Sequence, residues 1–222
     1  MTRRAAAAAT GVAAALIGIA AGLGVFARGS GSFTTVVSAR SETYEMAVDG
    51  VYAYSSKALV SEGVGWDVFS LLVVVPALVV TTILVLRHAT TALIVAGGLM
   101  GYAAYMYLEY AVTWAFGPMF PLHVAILAVS IAGLLAIAGE MARLHEPIGD
   151  AFPRRAYAAL TGGMALLLTV MWVARIADGL TSTTPALAGE TTMTVQALDL
   201  GLVVPISLPG STFKGVRAER AA

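Results

Sequence analysis

The sequence predicts an all-α protein: a polytopic transmembrane helical bundle with five full spans, an incomplete sixth and a cytoplasmic N-terminus. Three observations carry this reading. The 222 residues are 59% hydrophobic and only 12% charged, with a mean hydropathy of +0.84, whereas a soluble domain carries roughly twice that charge fraction. Five apolar stretches reach the ~20 residues needed to cross a hydrocarbon core about 30 Å thick. None alternates in the manner of a barrel strand, and a backbone facing lipid must satisfy its own N–H and C=O groups, so each stretch is expected to be a helix.

The first stretch, 5–26, follows "MTRR" and has the flavour of a signal peptide. Its ~22 apolar residues are long for a signal core and "GVFARGS" is a poor cleavage site, so an uncleaved helix is expected. The others are 68–86, 91–116, 120–141 and 156–177. Basic residues in the short connections set the orientation. Arg3 and Arg4, then Arg87, then Arg143, Arg154 and Arg155 all fall on one side, which the positive-inside rule makes cytoplasmic. The other side receives 27–67, with five acids against three bases, the Gly117–Pro118 turn and the Ser/Thr-rich segment after Asp178. The expected organisation is a first transmembrane helix (1–27), an extracytoplasmic loop (28–67), a four-helix core (68–178) and an outer loop with an incomplete C-terminal segment (179–222). That segment opens at Asp199, but its apolar run stops at Pro209 and Gly210, too short to cross a bilayer. Lys214, Arg217 and Arg220 then suit a cytoplasmic tail that no completed helix delivers, as in a re-entrant segment or a truncated chain.

The blocks "SETYEMAVDGVYAYSS", "GVGWDVFSLLVVVPAL", "GGLMGYAAYMYLEYA", "PLHVAILAVSIAGLLAI" and "ALDLGLVVP" together resemble an uncharacterised group of bacterial polytopic membrane proteins. In that group the outer loop carries a Gly-x-Tyr element, the second span opens with Gly-Trp-Asp and the third is tyrosine-rich. The similarity covers roughly residues 41–205 and carries no established activity. It implies further spans after the Asp-x-Gly-x-Val-Val-Pro element, here Asp199 to Pro205, and this chain departs there, which favours the truncated reading. Eleven Arg against two Lys, with abundant Ala, Gly and Val, point to a GC-rich bacterial genome and so to the bacterial inner membrane.

Chemistry is expected on the third span. Gly98, Tyr102, Tyr105 and Glu109 follow i, i+4, i+7, i+11 and form one stripe; Tyr107, Tyr110 and Trp114 form an adjacent one, where an aromatic belt belongs. Glu109 and His123 each lie about seven residues from the 116–117 turn, which puts both roughly 10 Å below its tip. Arg175 and Asp178 end the fifth span at the same level. A lone ionised glutamate in hydrocarbon costs several kcal/mol, so Glu109 is expected to face the bundle with Arg175 or tyrosine hydroxyls as partners; the bland alternative is a snorkelling interfacial residue. His123 is by itself more simply a hydrogen-bonded interfacial side chain, and Arg175 and Asp178, at i, i+3, are suited to pair with each other. Asp67 at the mouth of the second span reads as a helix cap, and Asp199 as its counterpart. Pro76 is expected to kink the second span, and Glu140 to sit at the cytoplasmic interface. Gly18-x-x-x-Gly22 and Gly97-x-x-x-Gly101 are candidate helix-packing seams.

Several classes of chemistry are excluded. Without cysteine there is no disulfide, thiolate metal site or thiol relay. His88, His123 and His145 lie at different depths, against a bis-histidine haem. No nucleotide-binding loop or His-Glu-x-x-His zinc motif occurs, Ser130 lacks a histidine at matching depth, and no transporter-like repeat is visible. No Lys/Arg block provides a nucleic-acid surface. No cofactor or metal is therefore expected, and the expected partners are the lipid bilayer and, for an accessory protein, another membrane protein. The expectation is a small-molecule-binding, carrier or accessory protein with a polar pocket near the outer face, lined by Glu109, Tyr102, Tyr105, His123, Arg175, Asp178 and Asp67. A structural subunit or truncated product, and a membrane enzyme with a Glu109/His123 acid–base pair, are the alternatives.

Overall fold

The computed structural model describes residues 3–144, 153–183 and 187–207. His145 and all residues after Ser207, with Pro209, Gly210, Lys214, Arg217 and Arg220 of the incomplete segment, lie outside them. The chain is mostly helical, and five helices are long and apolar enough to cross a membrane. It divides into two compact units, Met1–Ser38 with Thr43–Glu146 and Ala39–Glu42 with Pro147–Ala222.

The first unit contains α1 (Arg3–Phe26), strands β1 (Phe33–Val37) and β2 (Thr43–Ala47), α2 (Lys57–Phe69), a π-helical turn (Ser70–Val74), α3 (Val75–Leu86), α4 (Thr90–Thr113) and α5 (Phe120–Leu144). The helix α2, the π-turn and α3 form one continuous rod, Lys57–Leu86. α1 packs against α3 and α5, and α4 against the same two, which closes a ring of four rods. The ring can be tight because α1 presents Ala6, Ala7, Ala13, Ala14, Ala20 and Ala21 inward, small side chains that let helix axes approach closely. Where α1 begins and α5 ends, Arg3 Nε lies 3.3 Å from Glu140 Oε1, both largely buried; the carboxylate placed at the interface by its position is ion-paired.

Three expectations for the segment 27–67 change. It holds an antiparallel β-hairpin, with Phe33 opposite Ala47 and Val37 opposite Thr43, so the chain is not all-α. The hairpin forms from β-branched and aromatic residues flanked by Gly/Ser clusters. The second helix starts at Lys57 rather than 68, capped by Ser56, whose Oγ accepts from Leu59 N at 3.4 Å. Polar Lys57, Ser61 and Glu62 take its exposed side while Leu59, Gly63 and Asp67 are buried, so it is amphipathic where it is not yet uniformly apolar. Asp67 therefore sits three turns into the helix and caps nothing.

Pro76 changes its helix locally, within a rod that runs on from Lys57 to Leu86. It lacks the N–H that would bond back to residue 72, and its ring would strike that carbonyl; the preceding Ser70–Val74 turn widens to the π pattern, which opens the space.

In the second unit, α6 (Arg154–Thr181) packs against the end of a helix made of α7 (Thr194–Leu198), a second π-turn (Asp199–Val203) and α8 (Val204–Ser207). Because that helix starts at Thr194, Asp199 is not its cap either; it is buried and accepts a hydrogen bond from Trp172 Nε1 at 2.6 Å. Glu42 accepts from the backbone N–H groups of Leu187, Ala188 and Gly189 at 3.2, 2.8 and 3.3 Å.

Candidate functional site

The four rods of the first unit and the loop after β2 converge on one carboxylate. Asp67 on α2 is only 3% exposed. The Tyr52 hydroxyl donates to its Oδ2, and the Tyr110 hydroxyl on α4 lies 3.2 Å from Oδ1 and 3.1 Å from Gly63 O, so its single proton serves one acceptor at a time. Around this core, Tyr110 meets Trp114 with ring centres 4.4 Å apart, Tyr107 at 5.4 Å and His123 of α5 at 4.9 Å; Tyr107 also meets His123 at 5.8 Å. Burial, and secondarily the Asp67 charge, push the Tyr52 hydroxyl well above its ordinary range, so it stays a donor.

Backbone shape delivers these groups. Gly50, at φ +84°, turns the chain after β2 where a Cβ would overlap the Arg28 backbone. Val51 N then bonds Ala27 O at 3.2 Å and Tyr54 N bonds Ala47 O at 2.9 Å, which folds Tyr52 inward. Gly24 of α1 faces Asp67 so closely that a Cβ there would overlap the carboxylate and approach the Tyr52 hydroxyl. On α2, a Cβ at Gly63 would lie 3.1 Å from Trp114 Nε1. That indole nitrogen is buried and has no hydrogen-bond partner among the described residues.

A cavity of about 350 Å³ lies beside Arg28, Ser30, Asp49, Val60, Ser61 and Val64. Val60, Val64 and Asp67 share one face of α2 at i, i+4, i+7, and Arg28 follows the end of α1 at Phe26. The walls of the cavity thus continue, within about a turn or two, into the Asp67 cluster.

The sequence-predicted residues distribute unevenly around this centre. Asp67 and His123 belong to it. Glu109 is buried, 3% exposed, on the α4 turn that carries Tyr110. Tyr102 and Tyr105 are half-buried; the Tyr102 hydroxyl lies 3.5 Å from Ser70 Oγ, and its ring packs on Phe69 and Trp66 at 6.0 and 6.4 Å. Tyr107, Tyr110 and Trp114, expected in an aromatic belt, are interior residues of the bundle, because the loop bearing Tyr52 and the start of α2 cover the end of α4. Arg175 and Asp178 lie in the second unit, where they pair at 3.9 Å and are exposed. Of the glycine seams, Gly18 and Gly97 make ordinary contacts, 3.8 Å to Val75 and 3.7 Å to Ile137, while Gly22 and Gly101 have no described atom within 4 Å; the tight approaches fall on Gly24, Gly63 and Gly133 instead. Tyr52, Gly24 and Gly63 were missed. For Tyr52 a signal existed in the Gly50-x-Tyr52 element of the outer-loop block. No group of three or more His, Cys, Asp or Glu among the described residues is placed to hold a metal ion.

The chain matches no protein-family profile, no curated protein and no solved structure.

Proposed function

We propose that this is a multi-pass protein of the bacterial inner membrane, with a cytoplasmic N-terminus, that binds a small polar ligand at the outer end of its first unit, as a carrier or an accessory protein. The observation that carries this is the buried Asp67 carboxylate, held among aromatic groups about one helical turn beyond Val64, which lines the cavity. An ionised carboxylate in an apolar bundle is costly unless matched by charge or hydrogen bonds, and a cationic or N–H-bearing ligand end supplies both. Aromatic walls suit the same chemistry. The Trp114 N–H beside them, which has no hydrogen-bond partner among the described residues, favours a ligand that also carries an acceptor, so an amino alcohol fits better than a bare cation. A structural subunit is the second reading, favoured by the two tyrosine hydroxyls that already bind Asp67.

Thermal melting in lipid nanodiscs separates the two. Under the binding reading, 2-aminoethanol raises the melting temperature in a concentration-dependent way, more than methylammonium does, and Asp67→Asn diminishes the response. Equal melting curves for wild type with and without either amine would leave Asp67 a structural residue.

A further inference from the structure

The two units share a pattern that the alanine-rich sequence hides. Arg-Arg-Ala-x-Ala-Ala-x-Thr-Gly occurs at 3–11 and again at 154–162, and each copy opens a membrane-length helix, α1 and α6. The threonine of the motif plays the same local part in both. Thr10 Oγ1 donates to Ala6 O and Ala7 O at 3.1 and 3.0 Å, and Thr161 Oγ1 to Tyr157 O and Ala158 O at 3.0 and 3.4 Å. In each unit the following helix folds back on the first. Each of these second helices contains a five-residue π-turn, and each turn is followed by Val-Pro: Ser70–Val74 before Val75-Pro76, and Asp199–Val203 before Val204-Pro205.

Proline alone accounts for a π-turn. It does not account for the shared motif at the head of the partner helix, nor for a buried aspartate at or just before the turn in both copies. Asp67 accepts from Tyr52 and Tyr110; Asp199, 8% exposed, accepts from Trp172 Nε1 of the helix it packs on. Relative to its proline, Asp199 is three residues nearer than Asp67, about 4.5 Å along a helix axis. The connections differ as well, 27–56 in the first copy and 182–193 in the second, the β-hairpin making up most of the excess.

We propose that α6 to α8 is a second copy of the α1 to α3 hairpin, and that Asp199 with Trp172 is a second carboxylate site for the same class of ligand, a small organic cation. The proposal rests on reading Asp67 as a ligand site. The indole N–H fixes the orientation of the Asp199 carboxylate, and the charge of that carboxylate attracts the ammonium end of the ligand.

The test is the binding capacity of the full chain in nanodiscs for radiolabelled methylammonium, measured by equilibrium dialysis. Two equivalents are expected for wild type, one each for Asp67→Asn and Asp199→Asn, and none for the double variant. Trp172→Phe removes only the donor; it is expected to weaken one of the two sites several-fold, and it carries the test if Asp199→Asn does not accumulate. One equivalent in wild type, lost in Asp67→Asn but unchanged in Asp199→Asn and Trp172→Phe, overturns the second site and leaves the first standing. No binding to wild type overturns both.

Discussion

At the scale of single residues, Asp67 sets the most specific demands. Asp67→Leu strands the Tyr52 hydroxyl, while Tyr110 keeps Gly63 O as its acceptor, and an orphaned buried donor costs roughly 1–3 kcal/mol; Asp67→Asn keeps an acceptor and is expected to cost about 1 kcal/mol. Denaturant-induced unfolding in mixed micelles should rank them wild type, Asn, Leu, and equal losses would mean that the tyrosine bonds contribute nothing. Gly24→Ala drives a methyl into that carboxylate and is expected to destabilise by about 1–3 kcal/mol, whereas Gly22→Ala, with no described atom within 4 Å, should be neutral in the same assay. Tyr52 adds a pH dependence. Its pKa is raised in the folded chain by burial and by Asp67, above an unfolded value of about 10, so its contribution is intact below that pH and is lost as the pH rises beyond it. Stability measured between pH 9 and 11 should fall less steeply in Tyr52→Phe than in wild type; parallel slopes would show that Tyr52 titrates normally.

At the scale of elements, helices dominated by uniform apolarity were legible in the sequence, and those governed by local chemistry were not. The stretches 5–26 and 120–141 emerge nearly unchanged as α1 and α5, because hydropathy over about 20 residues is the signal for both prediction and burial. The start of α2 was hidden because Lys57, Ser61 and Glu62 dilute its hydropathy, and Asp67 was misread as a cap in consequence. Glu109 was singled out by its rarity in an apolar helix, but its neighbours Tyr110 and Trp114 were assigned to the wrong surroundings, since only tertiary structure shows that Tyr52 covers them. The π-turn yields a test at this scale. It holds one residue more than an α-turn of the same span, so deleting Leu72 should regularise the rod without rotating Asp67 away from Gly24, provided Pro76 is replaced to spare its clash, worth about 3 kcal/mol. The Leu72 deletion combined with Pro76→Ala is therefore expected to accumulate in membranes and melt cooperatively. Deletion of Val80, in regular helix, turns one part of the rod by ~100° against the other and should abolish accumulation. Equal failure of both would show that the π-turn carries no register information.

At the scale of the whole molecule, charge distribution is the feature from which the threading is proposed. Arg3, Arg4, Arg87 and Arg143 stand at one end of the rods of the first unit, with Arg3 paired to Glu140. The segment joining the opposite ends of α1 and α2 carries Glu42, Glu45 and Asp49 against Arg28 and Arg40. Under the positive-inside rule this puts the arginine end in the cytoplasm, and it puts the cavity beside Arg28 and Asp49 outside. The chain contains no cysteine, so a single introduced thiol reports its own side without background. Ser41→Cys lies between β1 and β2, and His88→Cys is exposed between α3 and α4. A membrane-impermeant maleimide applied to sealed cells is expected to label the first and spare the second, with both labelled after permeabilisation. Labelling of His88→Cys in sealed cells would invert the threading. The Asp67 cluster would then open to the cytoplasm, and its ligand would have to come from the cytoplasmic pool of amines, while the geometry of the cluster itself would be unchanged.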